Sequence, residues 1–363
     1  MLQRVSPDTM YGVAGARLAD SVVVRVLGAD GGPIANARVS FANVSGGGAF
    51  SPTSALTDAA GFARTVWVLG GTGPQEAVAS TEGATSTHLH ARVVSAPPAV
   101  TAMLAIMSDY LPWAANRLRE LRPGNPLLVS YIDAKLHLLE TPGLGSQVVA
   151  GGRYTEGAMM SRSGQTVPIT AVFPLESMRG EAVQSVALLT SALPVVEEFL
   201  GVAYPWQSIH VWDGFLIGSS NSAWVSLEDR ATYETRAAGK NLVPYDAIVV
   251  HEATHTWMPH ESLNQFLELY GYNVIRTGSA DAARWTHTRD WVPGRAENTG
   301  IHALLDIYQL AGPTAMAAGY RAILPMRVPY GGPIPQPAQE AFAAAMPEPI
   351  RPQVAAKLAN VGF

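Results

Sequence analysis

The chain has 363 residues, 48% of them hydrophobic and 15% charged, with a formal net charge of −5. That balance excludes a disordered chain, and a negative charge without a basic run excludes nucleic acid as an expected partner. The lack of any cysteine excludes disulfides, thiol nucleophiles and cysteine-ligated zinc. The length predicts two or three domains. No stretch reads as the ~18 consecutive apolar residues of a membrane helix, and Met1 to Asp20 lacks the charged start and apolar core of a signal peptide.

Residues from about 10 to 95 read as short strands. Val22, Val24 and Val26 alternate with Val23 and Arg25, Val39 and Phe41 alternate with Arg38 and Ser40, and Thr65-Val66-Trp67-Val68 is a further β-rich run. Turn signals separate them at Gly31-Gly32-Pro33, Gly46-Gly47-Gly48 and Asp58-Ala59-Ala60-Gly61. This spacing predicts an all-β sandwich. His88 and His90 alternate on a strand near its end and read as a solvated face.

The blocks Asp20 to Val26, Gly32 to Phe41 and Thr57 to Thr65 together resemble bacterial immunoglobulin-like domains of the invasin and intimin type. That resemblance implies an exported protein, extracellular or periplasmic, whose residues 1–96 form a non-catalytic spacer or adhesive module with cell-surface partners.

Ser95-Ala96-Pro97-Pro98-Ala99 reads as a proline-stiffened linker to a second domain, 97–363. Its part from 100 to 180 reads as mixed: Ala105 to Leu121 helical, Leu127 to Leu139 strand-like, Val167 to Val172 β. Glu181 to Leu200 predicts an amphipathic helix closed by Gly201. Ile209 to Leu216 and Ala223 to Leu227 read as strands. The expected architecture is therefore multidomain, a β-sandwich followed by a mainly α (α+β) domain.

The chemistry concentrates in His251-Glu252-Ala253-Thr254-His255. On a helix, His251 and His255 lie on one face, one turn apart, and can share a single zinc ion. Glu252 stands beside the first histidine, placed to act as general base towards a water at the metal. A third ligand is required, with one position left open. His260, Glu261, Gln265 and Glu268 are candidates. Pro259 ends the metal helix near Trp257 and fits the first position of a second helix, expected to run to Tyr270 and stop at Gly271. Glu261 falls in the first turn of that helix, whereas Glu268, roughly 10 Å further along its axis, is expected to point elsewhere.

Leu200 to Trp206, the strand to Phe215, the His251 helix and Glu261 to Gly271 together resemble the catalytic core of gluzincin peptidases, the aminopeptidase N and leukotriene A4 hydrolase group. The resemblance covers about 180–325. Its second helix reads E-G-F-A-x-Y-L-E-x-x-G, and its first Glu falls on Glu261. It implies one zinc ion held by His251, His255 and Glu261, with Glu252 as catalytic base acting on a peptide or protein.

Three departures stand out. Only five residues separate His255 from Glu261, far fewer than usual in the group; that spacing matches metzincins, which want Gly where Met258 stands. The amine-gripping Glu of the edge-strand motif has no counterpart between Gly218 and Leu227, and Glu228 reads as structural. Glu297 stands where the group has its oxyanion-stabilising Tyr, so a donor must come from elsewhere; Tyr270, Tyr272, His287, His302 and Tyr320 are candidates. The expected function is a zinc metallopeptidase. The alternatives are an amide or ester hydrolase on the same site, an extracellular binding protein with a degenerate peptidase fold, and a closed structural zinc site with His260 as fourth ligand.

Overall fold

The computed structural model describes residues 1–361 except 19, 72, 122–125, 213–223, 228, 239–242, 286–295 and 327; the side chains of 118, 121, 126–132, 232, 236–237 and 296–299 also lie outside the description. The chain divides into two compact units, Met1–Pro112 with Asp133–Arg153, and Trp113–Ile132 with Tyr154–Phe363.

Among the described residues the first unit has nine strands: β1 (Leu2–Arg4), β2 (Thr9–Gly12), β3 (Val22–Val26), β4 (Arg38–Ser45), β5 (Gly48–Ser51), β6 (Ser54–Leu56), β7 (Phe62–Leu69), β8 (Pro74–Ser80) and β9 (Thr87–Val93). They form two sheets, ordered β1-β3-β7-β5 and β2-β9-β8-β4-β6. Alternation decides which side chains meet between them. Val22 and Val24 of β3 and Trp67 of β7 are fully buried with Val39, Ala77 and Leu89 from the other sheet. Phe50 stacks on Trp67 at 5.0 Å. As expected, His88 and His90 face outward; His88 Nδ1 pairs with Glu76 at 2.7 Å. Three helices follow: α1 (Pro98–Leu121), α2 (Pro126–Leu139) and α3 (Leu144–Ala150). The strand expected over Leu127 to Leu139 is thus a helix. The apolar run there is rich in Leu and contains Ala and Lys, and Pro126 suits its first position.

The second unit centres on a four-stranded sheet of β10 (Tyr154–Met160), β11 (Thr166–Val172), β12 (Ile209–Trp212) and β13 (Trp224–Ser226), in that order. The β10–β11 pair is an antiparallel hairpin and the other pairs are parallel. The rest of the strand expected to reach Leu216, together with Glu228, lies outside the described residues. α4 (Glu181–Leu200) packs on β10 and β11 and also meets the later helices. Its Leu189, Leu193, Val196 and Leu200 are fully or almost fully buried at helical spacing. Gly201 ends it at φ 69°, its N–H bonded to the Glu197 carbonyl. Among the described residues α4 is long and apolar enough to cross a bilayer by length and composition, although polar residues interrupt it, and 50% of that stretch is buried within the protein. The remaining helices are α5 (Arg230–Ala237), α6 (Tyr245–Thr254), α7 (Glu261–Thr277), α8 (Ala296–Ile323, bent at Gly312), α9 (Gln336–Ala344) and α10 (Arg351–Leu358).

Two expectations about α7 are corrected. It starts at Glu261, not Pro259, because His260 is its N-cap, accepting the Leu263 N–H on its side chain. It runs past Gly271 to Thr277 and ends at Gly278 with φ 66°. Gly271 instead marks where α7 meets α4: a Cβ there would lie 2.9 Å from Val196 Cγ2.

In the sandwich, Gly48 combines φ 98° with a position where a Cβ would lie 2.4 Å from the Val68 carbonyl oxygen. Gly48→Ala is expected to cost about 1–3 kcal/mol, seen in thermal melts as a lowered Tm; an unchanged Tm would mean the β4–β5 turn relaxes freely.

Candidate metal centre

The last turn of α6 and the first turns of α7 build the site. α6 places His251 and His255 one turn apart, both buried. Their rings meet at 4.6 Å and 89°, and their Nε2 atoms face each other at 3.0 Å. Glu261, from the start of α7, brings Oε1 to 3.1 Å from His251 Nε2 and Oε2 to 3.4 Å from His255 Nε2. His251, His255 and Glu261 are the group of metal-capable side chains that converges among the described residues.

The other ring nitrogens reveal what that convergence means. His251 Nδ1 lies 2.8 Å from Glu268 Oε2, a buried carboxylate, and so carries the proton. His255 Nδ1 lies 3.3 Å from the Met258 carbonyl, which can only accept. Both Nε2 atoms are then bare acceptors in the neutral rings, aimed at a carboxylate that is an acceptor too. Glu261 Oε2 is buried without a hydrogen bond. Such a cluster of three acceptors calls for positive charge at its centre, supplied by a proton on His251 Nε2 shared with Glu261 or by a metal ion in its place. Their separations match the edges of a tetrahedron around zinc, about 3.3 Å for bonds near 2.0–2.1 Å.

The electrostatics agree. Burial opposes charge on His251, yet Glu261 and Glu268 outweigh it and hold the ring well above its usual pKa. Burial and the neighbouring His251 push His255 down. Glu261 is half-buried, which raises its pKa, but the two imidazoles hold it far below the ordinary carboxylate range. Burial pushes Glu268 up against the pull of His251. The cluster thus concentrates its attraction for positive charge at the two Nε2 atoms and the Glu261 carboxylate.

Glu252 sits on α6 immediately after His251 and is only 2% exposed. Glu268 does not point away, as its axial distance suggested. It lies two turns beyond Glu261 on the same face of α7, and α7 crosses α6 so that this face brackets His251 from both ring nitrogens. His260 is not a ligand: its Nδ1 accepts from Leu263 and its Nε2 donates to the Gly332 carbonyl at 3.0 Å. The Gln265 side-chain oxygen is buried without a hydrogen bond.

Of the expected oxyanion donors, Tyr320 is fully buried with its hydroxyl donated to the Leu263 carbonyl at 2.9 Å, which removes it from the site. Tyr270 is buried among Phe199, Phe266, Trp285 and Tyr308. Tyr272 faces the charges of Asp246, Arg276 and Arg230. His302 Nε2 is buried without a hydrogen bond and is not in the converging group. His287 and the Glu297 side chain lie outside the described residues.

Sequence reasoning missed Tyr330 and Asn264. Tyr330, between α8 and α9, lays its ring 5.8 Å from that of His255, and its carbonyl accepts the Glu261 N–H at 2.9 Å. Asn264 donates to the His251 carbonyl at 2.9 Å. The spacing of Glu268 to Glu261 was a readable signal; nothing local to Tyr330 announces its place.

No family model matches the chain, and no curated protein does either. Among solved structures it is similar to the C-terminal 282-residue fragment of intimin in complex with the intimin-binding domain of the translocated intimin receptor (18% identity, 26% of this chain and 32% of that one, TM-score 0.22). It is also similar to the D00-D0 domain of intimin (24% identity, 25% and 43% covered, TM-score 0.20). A third is invasin, a bacterial integrin-binding protein (21% identity, 28% and 20% covered, TM-score 0.23). This chain thus spans less than half of each of those structures, and each match covers about a quarter of this chain, the size of the β-sandwich. The sandwich assignment stands on its own sheets and core.

Replacing Glu268 by Gln removes the charge that fixes the His251 ring while keeping its shape. Affinity for a divalent metal is expected to fall about 10–100-fold in a chelator competition assay; unchanged affinity would reduce Glu268 to a packing residue.

Proposed function

We propose that the helical unit is a zinc-dependent hydrolase acting on a peptide or protein. The convergence of His251 Nε2, His255 Nε2 and Glu261 as three acceptors around one point carries this reading. The donor set is nitrogen and oxygen only and comes from three residues, which suits a zinc site with an open position. The gluzincin resemblance assigns the same residues the same roles.

Zinc bound there would polarise a substrate carbonyl and bring the pKa of a water towards neutrality. The chain's own groups do the rest. His251, His255 and Glu261 hold the ion, and Glu268 keeps the proton on His251 Nδ1 so that Nε2 stays available. Glu252 takes the proton of the attacking water and passes it to the departing amine nitrogen. The lack of a Glu to grip a free amino terminus favours an endopeptidase, or another amide or ester hydrolase, over an exopeptidase.

A second reading is an extracellular binding protein whose second unit keeps a degenerate peptidase fold. The sandwich, similar to domains of intimin and invasin, and the departures at Gly218 to Glu228 and Glu297 favour it. Both readings agree on an exported protein with a surface-facing sandwich.

Glu252→Gln separates them. The hydrolase reading expects near-stoichiometric zinc in both proteins, chelator-sensitive casein cleavage by the parent, and a fall of about 100-fold or more in the variant. Cleavage that survives in the variant sinks the role of Glu252, and a zinc-loaded parent that cleaves neither casein nor a peptide library favours the binding protein.

A further inference from the structure

Two large aromatic side chains stand exposed beside the end of the metal helix. Tyr330 is 51% exposed and Trp206 37% exposed, although both belong to segments tied to that helix. Trp206 donates its Nε1–H to Thr256 Oγ1 at 3.2 Å, one residue beyond His255. Its segment is secured next door, where Trp257 Nε1 donates to the Ala203 carbonyl at 3.2 Å and Tyr204 packs edge-on against Trp257 at 5.3 Å. Tyr330 tilts over the His255 ring at 35°, and its main chain holds the first N–H of α7. Gly332, two residues on, accepts from His260.

Exposed rings of this size, each anchored in place, present apolar area to solvent at low entropic cost on binding. Single exposed apolar residues need no explanation. These two differ because both lie against consecutive residues, His255 and Thr256, at the proposed reaction centre. An apolar side chain on the substrate would cover both rings.

We infer that Tyr330 and Trp206 form a specificity subsite that takes an aromatic or large aliphatic side chain next to the bond being cleaved. The inference rests on the hydrolase reading and names its substrate class. The rings do the recognising; Tyr330 is assigned by its ring and not by its hydroxyl.

The test uses the full chain loaded with cobalt(II), whose visible spectrum reports ligands at the metal. It is titrated with acetohydroxamate and with 3-phenylpropionyl hydroxamate, which share the metal-binding group and differ in the apolar arm. The aromatic compound is expected to bind about tenfold more tightly, the scale of one good aromatic contact. Trp206→Ala should shrink that preference while leaving acetohydroxamate affinity and cobalt content unchanged; Tyr330→Ala should shrink it too, and Tyr330→Phe should keep it. Equal affinities in the parent, a preference that survives both alanine variants, or loss of the preference in Tyr330→Phe would each overturn the subsite. If casein cleavage is absent while the preference holds, the hydrolase reading fails and the subsite stands as a binding site; a chain that takes up no cobalt sinks both.

Discussion

The candidate centre depends on one constraint: the crossing of α6 by α7 puts a carboxylate at each end of the His251 ring. An imidazole has two nitrogens, and in the neutral ring only one can be a bare acceptor. Glu268 holds the proton at Nδ1, and this leaves Nε2 to face His255 Nε2 and Glu261. The Met258 carbonyl does the same for His255. Without these outer partners the same three side chains would settle their mutual geometry by sharing protons. With them, each neutral ring turns its lone pair to a common point, and a metal ion there would displace the proton that His251 otherwise shares with Glu261.

The rest of the helical unit holds the two helices in that relation. Asn264 ties α7 to the carbonyl of His251. Glu261 N and His260 Nε2 both bond to carbonyls of the 330–332 loop, so the turn that delivers Glu261 is held from its far side. At the start of α6, Arg230 bonds bidentately to Glu181 at 2.6 and 3.0 Å, reaches Asp246 at 2.6 Å and lies over the Tyr245 ring. These links join α4, α5 and α6. The guanidinium is partly exposed, so its contribution is positional more than energetic. Below them, Gly271 lets α7 approach Val196 of α4 closely.

The sandwich and the helical unit are legible in different ways. Strict alternation such as Val22-Val24-Val26 announces a two-sided strand, because side chains on a pleated strand can only go to opposite faces. The apolar run at Leu127 to Leu139 has no such alternation, and there chain composition and Pro126 gave a helix instead. Gly271 misled because glycine inside a helix reads as a stop when its real cause, another helix pressing on it, is far away in sequence.

The convergence of His251, His255 and Glu261 was readable because their relation is local: helical periodicity sets the first two one turn apart, and a short proline-containing turn brings the third. The sequence by itself therefore determined the donor types and their order in a candidate cation-binding centre without thiols. Only the tertiary structure decided that Glu268 belongs to the centre, that His260 caps a helix, that Tyr320 is spent on a carbonyl, and that Tyr330 leans on His255. The reason is physical. Axial distance along one helix says nothing about what a second helix crossing it will meet, and hydrogen-bond partners from distant segments choose the tautomer of each ring.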